Sequence, residues 1–478
     1  MRSVMTGMMR FRDARGDPIT AETRFVVDRL DDAIDAYLGA RAGTRQQLTA
    51  ILAESPACVM AHCLDGYLSM FSSQRDGMVD AHAAWARGTA IAHRVTVSRR
   101  ETLHLAALHD WSSGHMRAAV ATWDALLADF PLDVVALKVS QFVLSYLGES
   151  ARMLDTVARV LPSWNASMRG YGFVLGCHAY ALEEAGQYAR AEEVGRQAVA
   201  LNRSDIWAAH AVAHVSEMQG RTRDGIRWIS SLTDAWDGCS NFALHLRWHE
   251  GLYHLELEEY DRVLALYDRE VRGQSTDEYL DLANAASLLW RLEQADVDVG
   301  ARWHELAGHA TAHADDHALV FVDMHYLMAL AAAGHDAAVQ RFMDSCERFA
   351  STQSATEARV MSEVGLPIAR AVVAHRTGRY ADVVDHLMPV RMRVREIGGS
   401  HAQRDVFDQL LIDAAWRARR ADVAVELLQE RTTARPSNLW GWKHRALVLE
   451  ASAPAAAVTA WRELDRLRAL QAKDDAAA

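Results

Sequence analysis

The chain repeats a pattern of small residues at an interval of 34 residues. The matching pairs are Ala179 and Ala213, Gly186 and Gly220, and Ala191 and Gly225. This interval is the length of a tetratricopeptide repeat, which is a pair of antiparallel helices. Small residues suit the places where two helices cross closely, and glycine suits the turn between them. The interval therefore predicts a stack of helix pairs.

Other segments share the pattern less strictly, with a turn glycine and a proline that ends the second helix, as in Gly114 with Pro131 and Gly378 with Pro389. Only 8 of the 478 residues are proline, and we find no strand pattern bounded by turn signals. We predict an all-α, irregular tetratricopeptide-like superhelix that curls around a central groove or cavity. It forms a single domain over residues 1–478, with flexible ends at 1–20 and 470–478.

The composition argues against several classes of partner. The net charge is −12, and no block dense in lysine and arginine occurs, so we expect no nucleic-acid partner. No run of about 18 apolar residues suggests a membrane helix, and the N-terminus lacks the apolar core of a signal peptide. The five cysteines are scattered and include no CxxC, which is typical of a cytoplasmic protein. The oligomeric state stays open, with a homodimer as one possibility.

Histidines cluster in two successive repeats. His210, His214 and Glu217 lie at positions i, i+4 and i+7 of one expected helix, and His245 and His249 are four apart in the next repeat. In tetratricopeptide arrays the first helix of each pair lines the concave groove. The expected groove residues of three successive first helices are Phe173, Gly176, Tyr180, Glu183, Trp207, His210, His214, Glu217, His245, Trp248 and His249. Gly176 is expected to leave open space opposite His210.

Three interpretations of this cluster remain open. The histidines could be structural, bonded to carboxylates that fix the helix register. They could bind a metal ion, although HExxH is absent and no carboxylate is evident behind each ring. They could line a polar pocket with acid–base capability, which we favour, with His210, His214, Glu217 and His249 as candidate catalytic residues. We expect neither a bound metal nor a cofactor, since GxGxxG, GxxxxGK[ST] and GxSxG are all absent.

A second motif, GGSHAQRDVF, spans Gly398 to Phe407. The two glycines break one helix and Ser400 can cap the next. His401, Arg404 and Asp405 could then enter the cavity, with His401 and Arg404 binding an anion beside the helix N-terminus. The alternative is a capped turn with an ion pair. Asp323 and His325 are also candidates, but residues two apart lie on different faces of a helix, so we expect at most one to line the groove.

Several of these stretches resemble the tetratricopeptide-repeat-protein-38 family. They are RETLHLAALHDW, the run from AYALEEAGQY to HVSEMQGR, FVDMHYLMALAAAGH and GGSHAQRDVF, and the resemblance extends from Asp17 to Trp442. The family pattern resembling HAVAH-x-x-E corresponds to His210, His214 and Glu217, and a further His-x-x-x-His corresponds to His245 and His249. The resemblance implies an all-helical tetratricopeptide fold and no particular reaction.

The expected function is binding of a small polar or anionic molecule in the central cavity. Peptide-binding tetratricopeptide domains usually hold a carboxylate with lysine and asparagine, whereas the expected groove here holds histidine, tryptophan, tyrosine and glutamate. Two alternatives stay open. One is a cofactor-independent enzyme of hydrolase or lyase type that uses the clustered histidines as general acid and base. The other is a scaffold that docks a short peptide or a protein.

Overall fold

The computed structural model describes residues 7–352 and 354–476, with side chains through residue 472. A short antiparallel hairpin, β1 (Met9–Arg12) and β2 (Pro18–Ala21), precedes the helices. The α-helices are α1 (Arg24–Leu38), α2 (Thr44–Glu54), α3 (Val59–Met70), α4 (Arg75–Ala92), α5 (Arg99–Ser112), α6 (Met116–Asp129), α7 (Val134–Tyr146), α8 (Ser150–Val160), α9 (Tyr171–Glu184), α10 (Tyr188–Leu201), α11 (Ile206–Met218), α12 (Thr222–Leu232), α13 (Phe242–Glu256), α14 (Tyr260–Leu266), α15 (Tyr279–Gln294), α16 (Arg302–Ala312), α17 (Val320–Ala332), α18 (Asp336–Thr352), α19 (Thr356–Val360), α20 (Leu366–Arg376), α21 (Tyr380–Leu387), α22 (His401–Arg417), α23 (Ala421–Ala434), α24 (Leu439–Ser452) and α25 (Pro454–Ala476). Short segments of 3-10 or π helix lie at Leu161–Ser163, Thr233–Trp236, Tyr267–Val271, Met361–Gly365 and Arg391–Ile397.

The helices form two layers, which confirms the predicted tetratricopeptide-like superhelix. The inner layer is a run of first helices in which each contacts the next, namely α7, α9, α11, α13, α15, α17, α20 and α22. Helix α11 is buried on nearly all sides. Its outer partner α12 buries one stripe only, at Thr222, Gly225, Ile229 and Leu232. That spacing of three and four residues is what an amphipathic helix shows when it covers a core with one face.

The superhelix closes on itself. Helix α22 contacts α11 and α15, which come far earlier in the chain. The Arg291 side chain donates a hydrogen bond of 2.9 Å to the carbonyl oxygen of Ala402. On another side, the loop after α1 pairs with the loop before α13, where the Ala42 N–H donates to the Gly238 carbonyl at 3.1 Å. The inner layer therefore surrounds a central pocket, in agreement with the predicted groove or cavity.

The N-terminal hairpin corrects the prediction that the chain contains no strands. Its strands are only four residues long, and its register pairs Arg12 with Pro18. Buried charges in its turn hold it in place, since the Arg100 guanidinium lies 2.8 Å from the Asp13 carboxylate. Such long-range ion pairs leave no local pattern for sequence inspection to detect.

Over their described parts, both chain ends contact the rest of the molecule. Residues 9–12 and 18–20 belong to the hairpin, and at the other end α25 packs on α12. There the Gln471 side chain donates a hydrogen bond of 3.0 Å to the Gly220 carbonyl. Residues 1–6 and 477–478 of the predicted flexible ends lie outside the described residues. Over the described part of the chain, no helix has the length and apolar character needed to cross a membrane.

A buried carboxyl group caps an inner helix. Glu357 of α19 accepts a hydrogen bond of 2.8 Å from the Val320 N–H at the start of α17. Burial raises the pKa of Glu357 to about 8; the Val320 N–H and Arg117 act in the opposite direction, and Asp323 adds to the rise. The folded protein therefore holds a proton on this group at pH values where the unfolded chain, with a pKa of about 4.3, has lost it.

We expect Glu357→Gln to make stability less dependent on pH. A raised folded-state pKa contributes stability that is present below the unfolded pKa and is lost as pH rises through the folded pKa. Glutamine keeps an oxygen for Val320 and cannot ionise. The variant should match the wild type near pH 5 and exceed it by about 1–3 kcal/mol near pH 9, as each pKa unit corresponds to about 1.4 kcal/mol. Urea unfolding at both pH values tests this, with the exposed Glu426→Gln as control. Equal pH profiles for wild type and Glu357→Gln would contradict it.

Candidate functional site

The central pocket inside the inner layer has a volume of about 370 Å³. Aromatic side chains make up much of its wall. Among them are Tyr37, Tyr146, Tyr180, Trp207, Phe242 and Tyr279. Polar groups reach it at separate points, including Lys138, His210, His245 and Gln403. The cavity thus combines a mainly aromatic surface with a few hydrogen-bonding groups, which is the usual make-up of a small-molecule site.

Lys138 is the cationic group deepest in this wall. It sits on α7, is only 4% exposed, and holds its ammonium 3.7 Å from the centre of the Trp207 ring and 5.0 Å from that of Phe142. Burial lowers its pKa, while Cys177 and Asp205 act to raise it. Among the described residues it forms no ion pair. The ammonium is thus held by ring faces, through cation–π contacts, and keeps its hydrogen-bond donors.

Four histidine rings meet between α11 and α13. The Nε2 atom of His210 lies 2.9 Å from Nε2 of His245 and 2.8 Å from Nε2 of His214. One ring nitrogen from each of His210, His214, His245 and His249 lies within 4.8 Å of all the others. The spacing of four residues on each helix places the rings of a pair on one face, and the two faces are adjacent in the inner layer. These four nitrogens could together hold a metal ion.

Three of the four rings have a partner on the side away from this meeting point. Nδ1 of His249 lies 2.8 Å from the Glu217 carboxylate, and Nδ1 of His214 lies 3.5 Å from that of Glu183. Nδ1 of His245 lies 3.3 Å from Oδ1 and 3.0 Å from Nδ2 of the Asn284 amide. The sequence had suggested no carboxylate behind each ring. The structure supplies one for two of the rings and an amide for a third.

Burial sets the protonation of the cluster. It lowers the pKa of His210, His245 and His249 well below the ordinary range, and repulsion between the neighbouring imidazoles adds to this. Burial also acts against the charged form of His214, but the Glu183 carboxylate outweighs it and raises that pKa. Burial raises the pKa of Glu217 to about 7 against the effect of His214. Three rings are therefore neutral at neutral pH and keep a lone pair.

Most of the predicted groove residues lie at or beside this centre. Tyr180 and Trp207 form part of the cavity wall with His210 and His245. Trp248 lies behind that wall, stacked on the His245 ring at 5.3 Å between centroids. Further from the cavity lie the other two rings of the cluster, His214 and His249. Glu183 and Glu217 lie beside them. The groove positions expected for successive first helices are thus brought together as the repeat period predicts.

The GGSHAQRDVF motif is a capped turn with ion pairs, and its predicted anion-binding role is not what the structure shows. Ser400 and Gln403 form a reciprocal capping box at the start of α22. The carboxylate of Glu184 accepts the His401 N–H at 3.1 Å and lies 3.5 Å from the Arg404 guanidinium. A protein carboxylate therefore already occupies the helix N-terminus. Asp405 faces away from the cavity and pairs with Arg431 at 2.6 Å.

Other expected groove residues lie elsewhere. Asp323 pairs with His317 at 3.2 Å, and Nδ1 of His325 lies 2.7 Å from the Phe321 carbonyl oxygen, so neither lines the cavity. Phe173 packs near Gly39, outside the cavity wall. Gly176 does not open a space, since a Cβ there would lie 3.1 Å from the Asp205 carboxylate and 3.4 Å from the Ala208 methyl group. Its small size serves close packing of α9 against α11.

Sequence inspection missed Lys138, Asn284 and Gln403. A signal for Lys138 was present, because the chain has only three lysines and this one interrupts the apolar run VVALKVSQFVLSY. Nothing in the sequence marks Asn284 or Gln403. Asn284 lies on α15, which stacks on α13 in the inner layer, and Gln403 lies on α22, which contacts α11 and α15 across the closed superhelix.

No family model matches the chain. Among solved structures, the human IFIT1 dimer with PPP-AAAA aligns over 87% of this chain and 91% of its own, at 11% identity and a TM-score of 0.39. The APC/C hetero-tetramer Cut9–Hcn1 aligns over 93% of both chains at 11% identity and a TM-score of 0.31. Naa15/Naa10 bound to HypK aligns over 91% of this chain and 68% of its own, at 11% identity and a TM-score of 0.24. TM-scores this low carry no argument about ligands, and the resemblance to the tetratricopeptide-repeat-protein-38 family stays a prediction.

Proposed function

We propose that the central cavity binds a small molecule with an aromatic or otherwise apolar body and one anionic group. The observation that carries this proposal is Lys138, an ammonium held against Trp207 and Phe142 in an aromatic-walled cavity with no carboxylate paired to it among the described residues. Burying a cation without a partner costs free energy. An anionic ligand would supply that partner.

Size and shape agree with a small-molecule ligand. The volume of about 370 Å³ falls within the range of about 300–1,000 Å³ typical of ligand pockets. Rings such as Tyr180 and Trp207 offer large flat contacts to an apolar body. A pocket of this volume accommodates a single compact molecule better than an extended peptide, which makes docking of a peptide the less favoured alternative.

The charge of the lining also favours an anion. The charged side chains in the wall are Lys138, Arg41, Arg45 and Glu278, which is three positive groups against one negative. Arg45 is largely exposed and already faces Asp65 at 3.3 Å, so its contribution is small. Lys138 and Arg41 therefore account for most of the positive potential that an entering anion meets.

We expect Lys138→Met to weaken binding of aromatic carboxylates. A hydrogen bond to a charged group contributes about 1.5–3 kcal/mol, which corresponds to about a 10–150-fold loss of affinity. The probes are 2-naphthoate and indole-3-acetate, each compared with its neutral carboxamide. Calorimetry and melting temperature should show that the acids bind wild-type protein more tightly than the amides, and that the variant loses this preference.

Lys443→Met is the matched control, because Lys443 pairs with Glu258 far from the cavity. It should bind the acids as the wild type does. Native mass spectrometry of freshly purified protein should also detect a co-purifying anionic molecule. The proposal fails if none of the acids binds in preference to its amide and no small molecule co-purifies.

A catalytic function is the second candidate, and one observation favours it. The rings of His210 and His245 form part of the cavity wall, so a bound molecule would contact neutral imidazoles able to exchange protons. Chemistry of hydrolase or lyase type would then convert the ligand. Incubation of the co-purifying molecule with protein, followed by mass spectrometry, would show a change of mass in the ligand if this is so.

A further inference from the structure

The four-histidine centre between α11 and α13 has no satisfactory arrangement of hydrogen bonds. An imidazole nitrogen carries either one hydrogen or one lone pair. Nε2 of His210 nevertheless lies within hydrogen-bond distance of two other Nε2 atoms, those of His214 and His245, and it can serve only one of them. Nε2 of His249 is buried and has no hydrogen-bond partner. Something other than a proton is needed to satisfy all four nitrogens at once.

We propose that these four histidines bind a divalent transition-metal ion. A tetrahedral ion with nitrogen ligands at about 2.0–2.1 Å holds those nitrogens about 3.3 Å apart. The nitrogens of His210, His214, His245 and His249 are separated by 2.8 Å at the closest and by no more than 4.8 Å. The tetrahedral spacing lies inside this spread.

The surroundings are those of a metal centre rather than of a packing core. Metal-binding histidines almost always have their other ring nitrogen hydrogen-bonded to a carboxylate or carbonyl oxygen, which orients the ring and makes it a better donor. Glu217 is hydrogen-bonded to Nδ1 of His249 at 2.8 Å. The Glu183 carboxylate lies 3.5 Å from Nδ1 of His214, and the Asn284 amide lies within hydrogen-bond distance of Nδ1 of His245. Glu183 and Glu217 also bring acidic groups close to a centre where a dication would sit.

The ligand set narrows the choice of ion. Four imidazoles and no oxygen ligand disfavour magnesium and calcium, which take oxygen donors. Imidazole suits zinc, cobalt, nickel, iron and copper. Four ligands around one compact centre match the tetrahedral coordination that zinc adopts. Because His210 and His245 also form part of the cavity wall, the ion would lie directly behind the surface that a cavity ligand touches.

The test uses untagged full-length protein, stripped with a chelator and then reloaded with zinc or cobalt. We expect about one ion per chain by elemental analysis, and intense visible bands of tetrahedral cobalt. His249→Gln should lose most of this uptake, and Glu217→Gln should weaken affinity by about 10–100-fold. His254→Gln is the matched control: it lies five residues further along α13, is equally buried and also faces a glutamate, Glu259, but stands outside the cluster. It should keep the full metal content.

The proposal is overturned if wild-type protein takes up neither zinc nor cobalt, or if His249→Gln binds as much metal as tightly as His254→Gln. If His249→Gln does not fold, X-ray absorption of the zinc-loaded wild type decides, since a shell of imidazole nitrogens supports the site and a shell of oxygen or sulfur rejects it. The inference stands apart from the proposed cavity ligand. Lys138→Met should lose preference for aromatic acids while retaining metal, so the two proposals can fail separately.

Discussion

Replacing Arg100 by methionine is expected to lower the free energy of unfolding by about 3–5 kcal/mol. The Arg100 guanidinium is buried and pairs with Asp13 of the hairpin turn and with Asp133 at the start of α7. Asp133 also accepts hydrogen bonds from Ala136 and lies 2.9 Å from His104. Methionine fills a similar volume but leaves both carboxylates buried without their cation. Urea unfolding followed by circular dichroism measures the loss.

Arg99→Met is the matched control, because the neighbouring Arg99 has a 71% exposed side chain that pairs with Asp129 at the surface. An exposed ion pair contributes at most about 1 kcal/mol. The two variants remove the same charge one residue apart, so a large difference between them isolates burial as the cause. Similar losses in both would show that the buried ion pairs of Arg100 with Asp13 and Asp133 contribute little to stability.

Gly148→Ala is expected to have the second largest effect, about 2–5 kcal/mol. Gly148 has a φ of +64° in the turn after α7, a conformation that costs alanine about 1–2 kcal/mol. An added Cβ would also collide with the Arg395 backbone, whose carbonyl carbon would lie 2.7 Å away. Backbone cannot move aside as a flexible side chain can, so overpacking adds to the strain. Melting temperature and urea unfolding test this.

Gly186→Ala separates the two causes. Gly186 occupies the equivalent turn after α9 with a φ of +75°, and a Cβ there would meet no atom within 4 Å. It should therefore show only the backbone cost of about 1–2 kcal/mol. If Gly148→Ala is no worse than Gly186→Ala, the close approach of the α7–α8 turn to the segment before α22 is not a tight constraint.

The sequence predicted the parts of the site that depend on local periodicity. The interval of 34 residues gave the register of the first helices, and from that register we predicted that His210, His214 and Glu217 lie near His245 and His249, as they do in the structure. Features that depend on contacts distant in sequence were missed or misassigned.

The pairing of Arg404 with Glu184 joins residues 220 positions apart, and the Lys138 ammonium lies over the ring of Trp207. No spacing rule encodes such contacts. The hairpin was missed although its turn carries local signals: the Asp13 carboxylate accepts the N–H groups of Arg15 and Asp17, and Gly16 has a φ of +93°.

Closure of the superhelix makes this chain unlike a modular repeat protein. In an open repeat array each repeat contacts only its neighbours, so removing or adding whole repeats changes the free energy of unfolding almost additively. Here α22 packs on α11, and α25 packs on α12, the outer partner of the helix that carries His210 and His214. A fragment made of the histidine-rich repeats and their neighbours in sequence would lack both contacts. The smallest fragment that can present this site must therefore include the closed superhelix, and a single repeat or a few adjacent repeats are not enough.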